Sequence, residues 1–207
     1  MMARAQHFSF AFLFLALVPS LSQAQQIIRI EEDWELRVVQ PDEKLDAPQI
    51  TTMMVPFGNT SDLLVQFDVN HGRYPAFSAG GVQVRVTNDD EYLDGFRMNE
   101  GQRLSEQDET VRWTQVVQRV ADGYYFGILN GQSESFGSFG SEAEAAFVST
   151  SSTGGGSLNS YSLEHSLQNS GISYAANRVS HLRLKRVRIF NSLGQSTEFT
   201  INRDVLQ

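Results

Sequence analysis

The chain has 207 residues, 41% hydrophobic and 11% aromatic, with 16 Lys plus Arg against 24 Asp plus Glu and a net charge of −8. An acidic balance of this kind offers no general attraction to nucleic acid or to an anionic membrane surface, both of which select for surplus cations. Cysteine is absent, which excludes disulfides, thiolate metal sites, thiol nucleophiles and a lipid-modified N-terminal cysteine.

In chain order, Arg4 precedes the apolar run Phe8 to Val18, which Pro19 ends. The run is too short for a stable membrane-spanning helix, and the small residues Ser22 and Ala24 flank Gln23 as a signal peptidase requires. The expectation is a signal peptide over 1–24 and a mature acidic chain from Gln25, secreted or held in the periplasm or cell envelope. No later stretch is apolar for long enough to predict a membrane span after cleavage.

Strand-period alternation then dominates. Leu63, Val65, Phe67 and Val69 alternate with polar residues, and Val82, Val84 and Val86 alternate with Gln83, Arg85 and Thr87. Tyr124, Phe126 and Ile128 follow the same rule and lead into the turn dipeptide Asn130-Gly131. Leu182 and Leu184, then Val187 and Ile189, alternate with cations, and the phase slips by one residue between them, which predicts a β-bulge. Further strands are expected at Trp34 to Val39, Ile50 to Val55, Ala145 to Thr150 and Thr197 to Ile201. Val111 to Val120 also fits helical spacing at Trp113, Val116, Val117 and Val120, but its β-branched content favours a strand. The Ser/Gly-rich segment from Ser149 to Ser157 predicts a mobile loop. These features give an all-β chain, a two-sheet antiparallel β-sandwich filling 25–207 as one domain, with Trp113, Val117, Phe126, Ile128, Val187 and Ile189 in its core.

From Trp113 onward the order of several short signals resembles the concanavalin A-like jelly rolls, in particular their laminin G-like branch. Trp113 to Val117 followed by Asp122-Gly123 is similar to that family's tryptophan strand and turn. Tyr125 to Gln132 is similar to the next strand with its Asn-Gly hairpin, and Arg186 to Asn191 to a late Arg-Ile-aromatic-Asn strand followed by Glu198-Phe199. The resemblance covers the C-terminal half, and Gln115 stands where the family often has histidine. It implies a jelly roll and a carbohydrate-binding or cell-surface-binding role.

The chemistry-bearing groups are sparse. Asn70, His71, Arg73 and Tyr74 share one expected loop, and Asn130 and Gln132 another; these six are the candidate ligand-binding residues, since neutral amides, an imidazole, a guanidinium and a phenol suit sugar hydroxyls. Asp89, Asp90 and Asp94 are the candidate ligands for calcium, the one cofactor the residues suggest, although no Asp-x-Asp-x-Asp-Gly loop is present. Glycosidic hydrolysis needs two carboxyl groups astride the bond, and Glu31-Glu32-Asp33-Trp34-Glu35 lacks the Glu-x-Asp-x-x-Glu spacing of jelly-roll glucanases. No Gly-x-Ser-x-Gly elbow marks a serine hydrolase. Phe136 and Phe139 read as core anchors, and Tyr92, Tyr124 and Tyr161 as the better sugar platforms. The expected function is an exported non-catalytic module that binds a glycan or surface partner. Two alternatives stand beside it. One is a polysaccharide lyase using His71, since Glu35-Leu36-Arg37 and Tyr125-Phe126-Gly127 resemble segments of alginate lyase-like jelly rolls; the other is a structural envelope protein.

Overall fold

Residues that alternate in sequence point to alternate faces of a strand, and this chain uses that rule to build two stacked antiparallel sheets. A computed structural model describes residues 25–39, 48–58, 61–70 and 80–205. The expected signal peptide and the candidate residues His71, Arg73 and Tyr74 lie outside the described residues. The strands are β1 (Ile27–Val38), β2 (Gln49–Met54), β3 (Leu63–Val69), β4 (Val82–Asn88), β5 (Glu91–Met98), β6 (Glu109–Val120), β7 (Gly123–Ser133), β8 (Gly137–Phe139), β9 (Ala145–Ser149), β10 (Gly171–Tyr174), β11 (Val179–Asn191) and β12 (Ser196–Asp204). One sheet has seven strands, ordered β12-β11-β1-β6-β7-β8 with β9 also paired to β7, and the other has five, ordered β10-β2-β3-β4-β5.

The inward phase of β1 is Ile30, Glu32, Trp34, Leu36 and Val38, all buried. Trp113 of β6 lies 6.4 Å from Trp34, stacked, and 5.1 Å from Phe67 of the opposite sheet, so the two indoles sit at the centre of the sandwich. Val117, Phe126, Ile128 and Val187 are buried as expected, while Ile189 is partly buried against the same cluster. Fully burying a side chain of this size contributes about 2 kcal/mol. Val111 to Val120 is a strand throughout. The expected bulge in β11 is present: Asp33 pairs with Arg186 and Trp34 with Leu184, leaving Lys185 between them.

Two expectations are corrected and one element is added. Asn130-Gly131 does not turn the chain; β7 runs through it. Asn130 adopts φ 55°, and the register between β6 and β7 shifts from Thr114–Leu129 to Arg112–Gln132, so the dipeptide forms a bulge opposite Trp113. The segment from Ser149 to Ser157 is more than an open loop: it holds a 3-10 turn over Thr150–Thr153, a buried Thr153 and a Gly156 whose missing side chain makes room for the Phe57 ring, while Thr150, Ser151, Gly154 and Gly155 are exposed. The Tyr124 hydroxyl donates to the Gly156 carbonyl at 3.0 Å. A short helix, α1 (Leu163–Gln168), was not legible among the serines that cap and anchor it: Ser162 accepts the His165 amide at 3.3 Å, and Ser166 accepts the Val55 amide at 3.1 Å.

Candidate functional site

Outward positions of the seven-stranded sheet form one continuous face with two adjoining depressions. Cross-strand partners Thr114 and Leu129 mark the seam, the first lining one depression and the second the other.

The polar depression, about 670 Å³, lies over β1, β6, β11, β12 and the β7 bulge. Period-2 acids on β1 supply Asp33 and Glu35 here, with Glu31 next in line, and cations on the neighbouring strands meet them. Arg186 lies 2.5 Å from Asp33, Arg188 reaches Glu31 at 2.7 Å and Asp33 at 3.2 Å, and Arg112 reaches Glu35 at 2.9 Å. Lys185, displaced outward by the bulge, lies 3.8 Å from Glu35, and His181 lies 3.3 Å away. Partial burial works to raise the Glu35 carboxyl, but the Arg112 hydrogen bond, the Lys185 and Arg112 charges and the His181 hydrogen bond outweigh it and hold the group below the ordinary carboxylate range. Asn130 and Gln132 line this depression together with Thr114, Thr200 and Asn202. Two of the six sequence-derived ligand residues therefore converge on a surface, placed there by the bulge that Asn130 itself makes.

The aromatic depression, about 630 Å³, lies over β6, β7 and β9. Tyr125 and Phe147 are cross-strand partners with ring centroids 5.2 Å apart, and they remain 45% and 39% exposed. Beside them Gly127 carries no side chain, so the sheet surface drops between Val116, Leu129 and Ala145. Arg29 closes one end, held by hydrogen bonds to Glu31 at 2.7 Å and Gln118 at 2.6 Å.

Other candidate residues serve the fold. Asn70 is fully buried with φ 57°; its amide donates to the Pro48 carbonyl at 2.7 Å and accepts the Leu104 amide at 3.2 Å, which pins three segments and keeps it off any surface. Asp89 and Asp90 take positive φ values of 48° and 65° in the tight hairpin between β4 and β5. Asp94 accepts the amides of Gly95 at 2.8 Å and Phe147 at 2.7 Å, tying β5 to β9 across the edges of the two sheets. Among the described residues no group of three His, Asp or Glu side chains is placed to hold a metal ion. Phe136, Phe139 and Tyr124 are buried, and Tyr161 is partly buried against the same core.

The group that sequence reasoning missed is Glu32. It is fully buried and accepts hydrogen bonds from the Tyr161 hydroxyl at 2.7 Å and the Trp34 indole at 3.0 Å. Burial pushes its carboxyl up to about 7, against the opposing hydrogen bonds of Tyr161, Trp34 and Ser166. The Tyr161 phenol is raised well above its ordinary range by burial and by the Glu32 charge, and so stays protonated as a donor. The signal was available: an acid in the inward phase of an otherwise apolar strand face.

No family model matches the chain, and no curated protein or solved structure matches it at a significant level.

Proposed function

We propose that the protein is an exported, non-catalytic recognition module that binds a glycan along the outer face of its seven-stranded sheet. The observation that carries this reading is the exposed Tyr125–Phe147 pair on the same sheet face as a groove of amides, hydroxyls and fixed charges. Sugar rings combine an apolar face, which suits an aromatic surface, with a rim of hydroxyls, which suits donors and acceptors held in place. Asn130, Gln132 and Asn202 supply that rim, and the ion pairs of β1 with β6 and β11 fix the strands that present them. The signal-like residues 1–24, the two-sheet sandwich and the likeness of the C-terminal half to concanavalin A-like jelly rolls point the same way.

A binding role without turnover accords with the carboxylates. Glycosidic hydrolysis requires one carboxyl to stay protonated beside the scissile bond. On this face Glu31, Asp33 and Glu35 are each paired with cations. The carboxyl held near neutrality, Glu32, is enclosed on the other side of the strand.

Binding of the mature chain to immobilised extracellular polysaccharides tests the reading. Retention on at least one neutral polymer, weakened about tenfold in Asn130→Ala or Gln132→Ala with an unchanged circular dichroism spectrum, is the expected result. Failure to bind any polymer, or release of unsaturated or shortened products during incubation, would sink it.

A further inference from the structure

The opposite face of the sandwich carries a second feature that the glycan groove does not use. On β4 and β5 the outward positions are Gln83, Arg85, Thr87, Gly95 and Arg97, with Gln83 paired to Arg97 and Arg85 paired to Gly95. They surround a depression of about 400 Å³, which Tyr92 also lines and Glu100 borders. A Cβ at position 95 would collide with the Val84 carbonyl oxygen at 2.3 Å and crowd the Tyr92 hydroxyl at 3.2 Å, so the glycine leaves room for the phenol in the depression that Arg85 and Arg97 also line.

Among the described residues, most outward arginines of the seven-stranded sheet are matched with acids, Arg119 near the end of β6 excepted, whereas the two on β4 and β5 are both unmatched. On the seven-stranded sheet Arg29, Arg112, Arg186 and Arg188 are each matched with a carboxylate within hydrogen-bonding distance. Arg97 bonds only the neutral Gln83 amide oxygen, at 3.1 Å, and Arg85 has no hydrogen-bond or ion-pair partner among the described residues. The nearest outward acid in the register, Asp68 on β3, receives Thr51 at 2.6 Å and Gln66 at 2.8 Å. Two like charges placed diagonally on adjacent strands repel and destabilise the sheet slightly. In a chain with a net charge of −8, acids to neutralise them were abundant. Local conflicts of this kind concentrate at functional positions.

We propose that Arg85, Arg97 and the Tyr92 hydroxyl form an oxyanion-binding subsite that takes the acidic group of a charged sugar, a carboxylate or a sulfate ester. Two guanidinium forks suit bidentate contact with a planar or tetrahedral oxyanion, and the phenol adds a donor and, at 56% exposure, a ring edge for the sugar body. Glu100 on the border repels the ligand and limits affinity. The subsite takes its ligand class from the glycan-binding reading but lies on the other sheet, so the two stand or fall separately.

Calorimetric titration of the mature chain with a short oligogalacturonate and with a short sulfated galactan distinguishes the two sources of the oxyanion, and a neutral galactan oligomer serves as the control. At least one anionic probe is expected to bind, with a Kd raised tenfold or more in the double variant Arg85→Gln/Arg97→Gln, lowered in Glu100→Gln, and unchanged in Arg119→Gln. That last variant removes the same charge from β6, and circular dichroism checks that each variant is folded. The proposal is overturned if neither anionic probe binds at millimolar concentration, if the double variant binds as tightly as the parent, or if Arg119→Gln weakens binding equally. Loss of neutral-glycan binding in variants of the Tyr125 face reports on the other reading and leaves this one standing.

Discussion

Glu32 and its neighbours Glu31, Asp33 and Glu35 share β1 and occupy opposite worlds. On the outer face the carboxylates meet Arg112, Arg186 and Arg188, and Glu35 is held below its ordinary range. One residue away, on the inner face, Glu32 is closed off from water beside Trp34 and Tyr161, and burial lifts it to about 7. A single step along a strand thus decides whether an acid is a charged surface group or a buried hydrogen-bond acceptor. The side of the sheet sets the chemistry before any particular partner does.

Removing the inner acid should have the largest effect. Glu32→Ala leaves the Tyr161 hydroxyl and the Trp34 indole buried without their acceptor, and each orphaned group costs about 1–3 kcal/mol on top of the cavity, so a loss of about 4 kcal/mol is expected by urea denaturation. A variant within 1 kcal/mol of the parent, by this order of magnitude, would mean that the cluster is not holding the helix-bearing segment onto β1.

The next effect is one of pH. The folded pKa of Glu32, about 7, lies above the ordinary value of 4.5, so between these limits the native state binds more protons than the unfolded chain. The stabilising contribution is fully present below pH 4.5 and is lost as pH rises to about 7, amounting to about 3 kcal/mol at 1.36 kcal/mol per unit. Glu35, with its lowered folded pKa, acts in the opposite sense: its contribution is present above its unfolded pKa and disappears as pH falls through the folded one. Denaturation midpoints measured across pH 4.5 to 7 should fall in the parent and stay level in Glu32→Gln; a fall of equal size in both assigns the titration elsewhere.

On the outer face the corresponding change is small. Arg112 is largely exposed, and Arg112→Ala should cost no more than about 1 kcal/mol, the usual range of exposed ion pairs. A loss comparable with that of Glu32→Ala would erase the contrast between the two faces.

The strands were legible wherever one face is dry and the other wet, because only then does the period of two appear in the residues: β3, β4 and the β11 bulge at Lys185 are clear cases. The site was less so. Asn130 and Gln132 were recognised as polar residues near a turn, yet they reach the groove because Asn130 takes a left-handed conformation inside β7. Asn70 carried the same outward marks and is buried, since loop polarity does not say which amides must satisfy the backbone. Glu31, Asp33 and Glu35 form one row through simple strand alternation, which a glucanase-type spacing does not describe. The Tyr125–Phe147 pair joins residues from β7 and β9 and depends on a register that local sequence does not encode.

Recognition through the outer face depends most on that aromatic pair. An array of extracellular glycans probed with the mature protein and with Tyr125→Ala/Phe147→Ala, both checked for an unchanged melting temperature, tests it directly. The parent should bind a discrete set of glycans and the double variant should lose at least tenfold of that signal. Equal binding by the two proteins, or no binding by the parent, would contradict recognition through the outer face of the seven-stranded sheet.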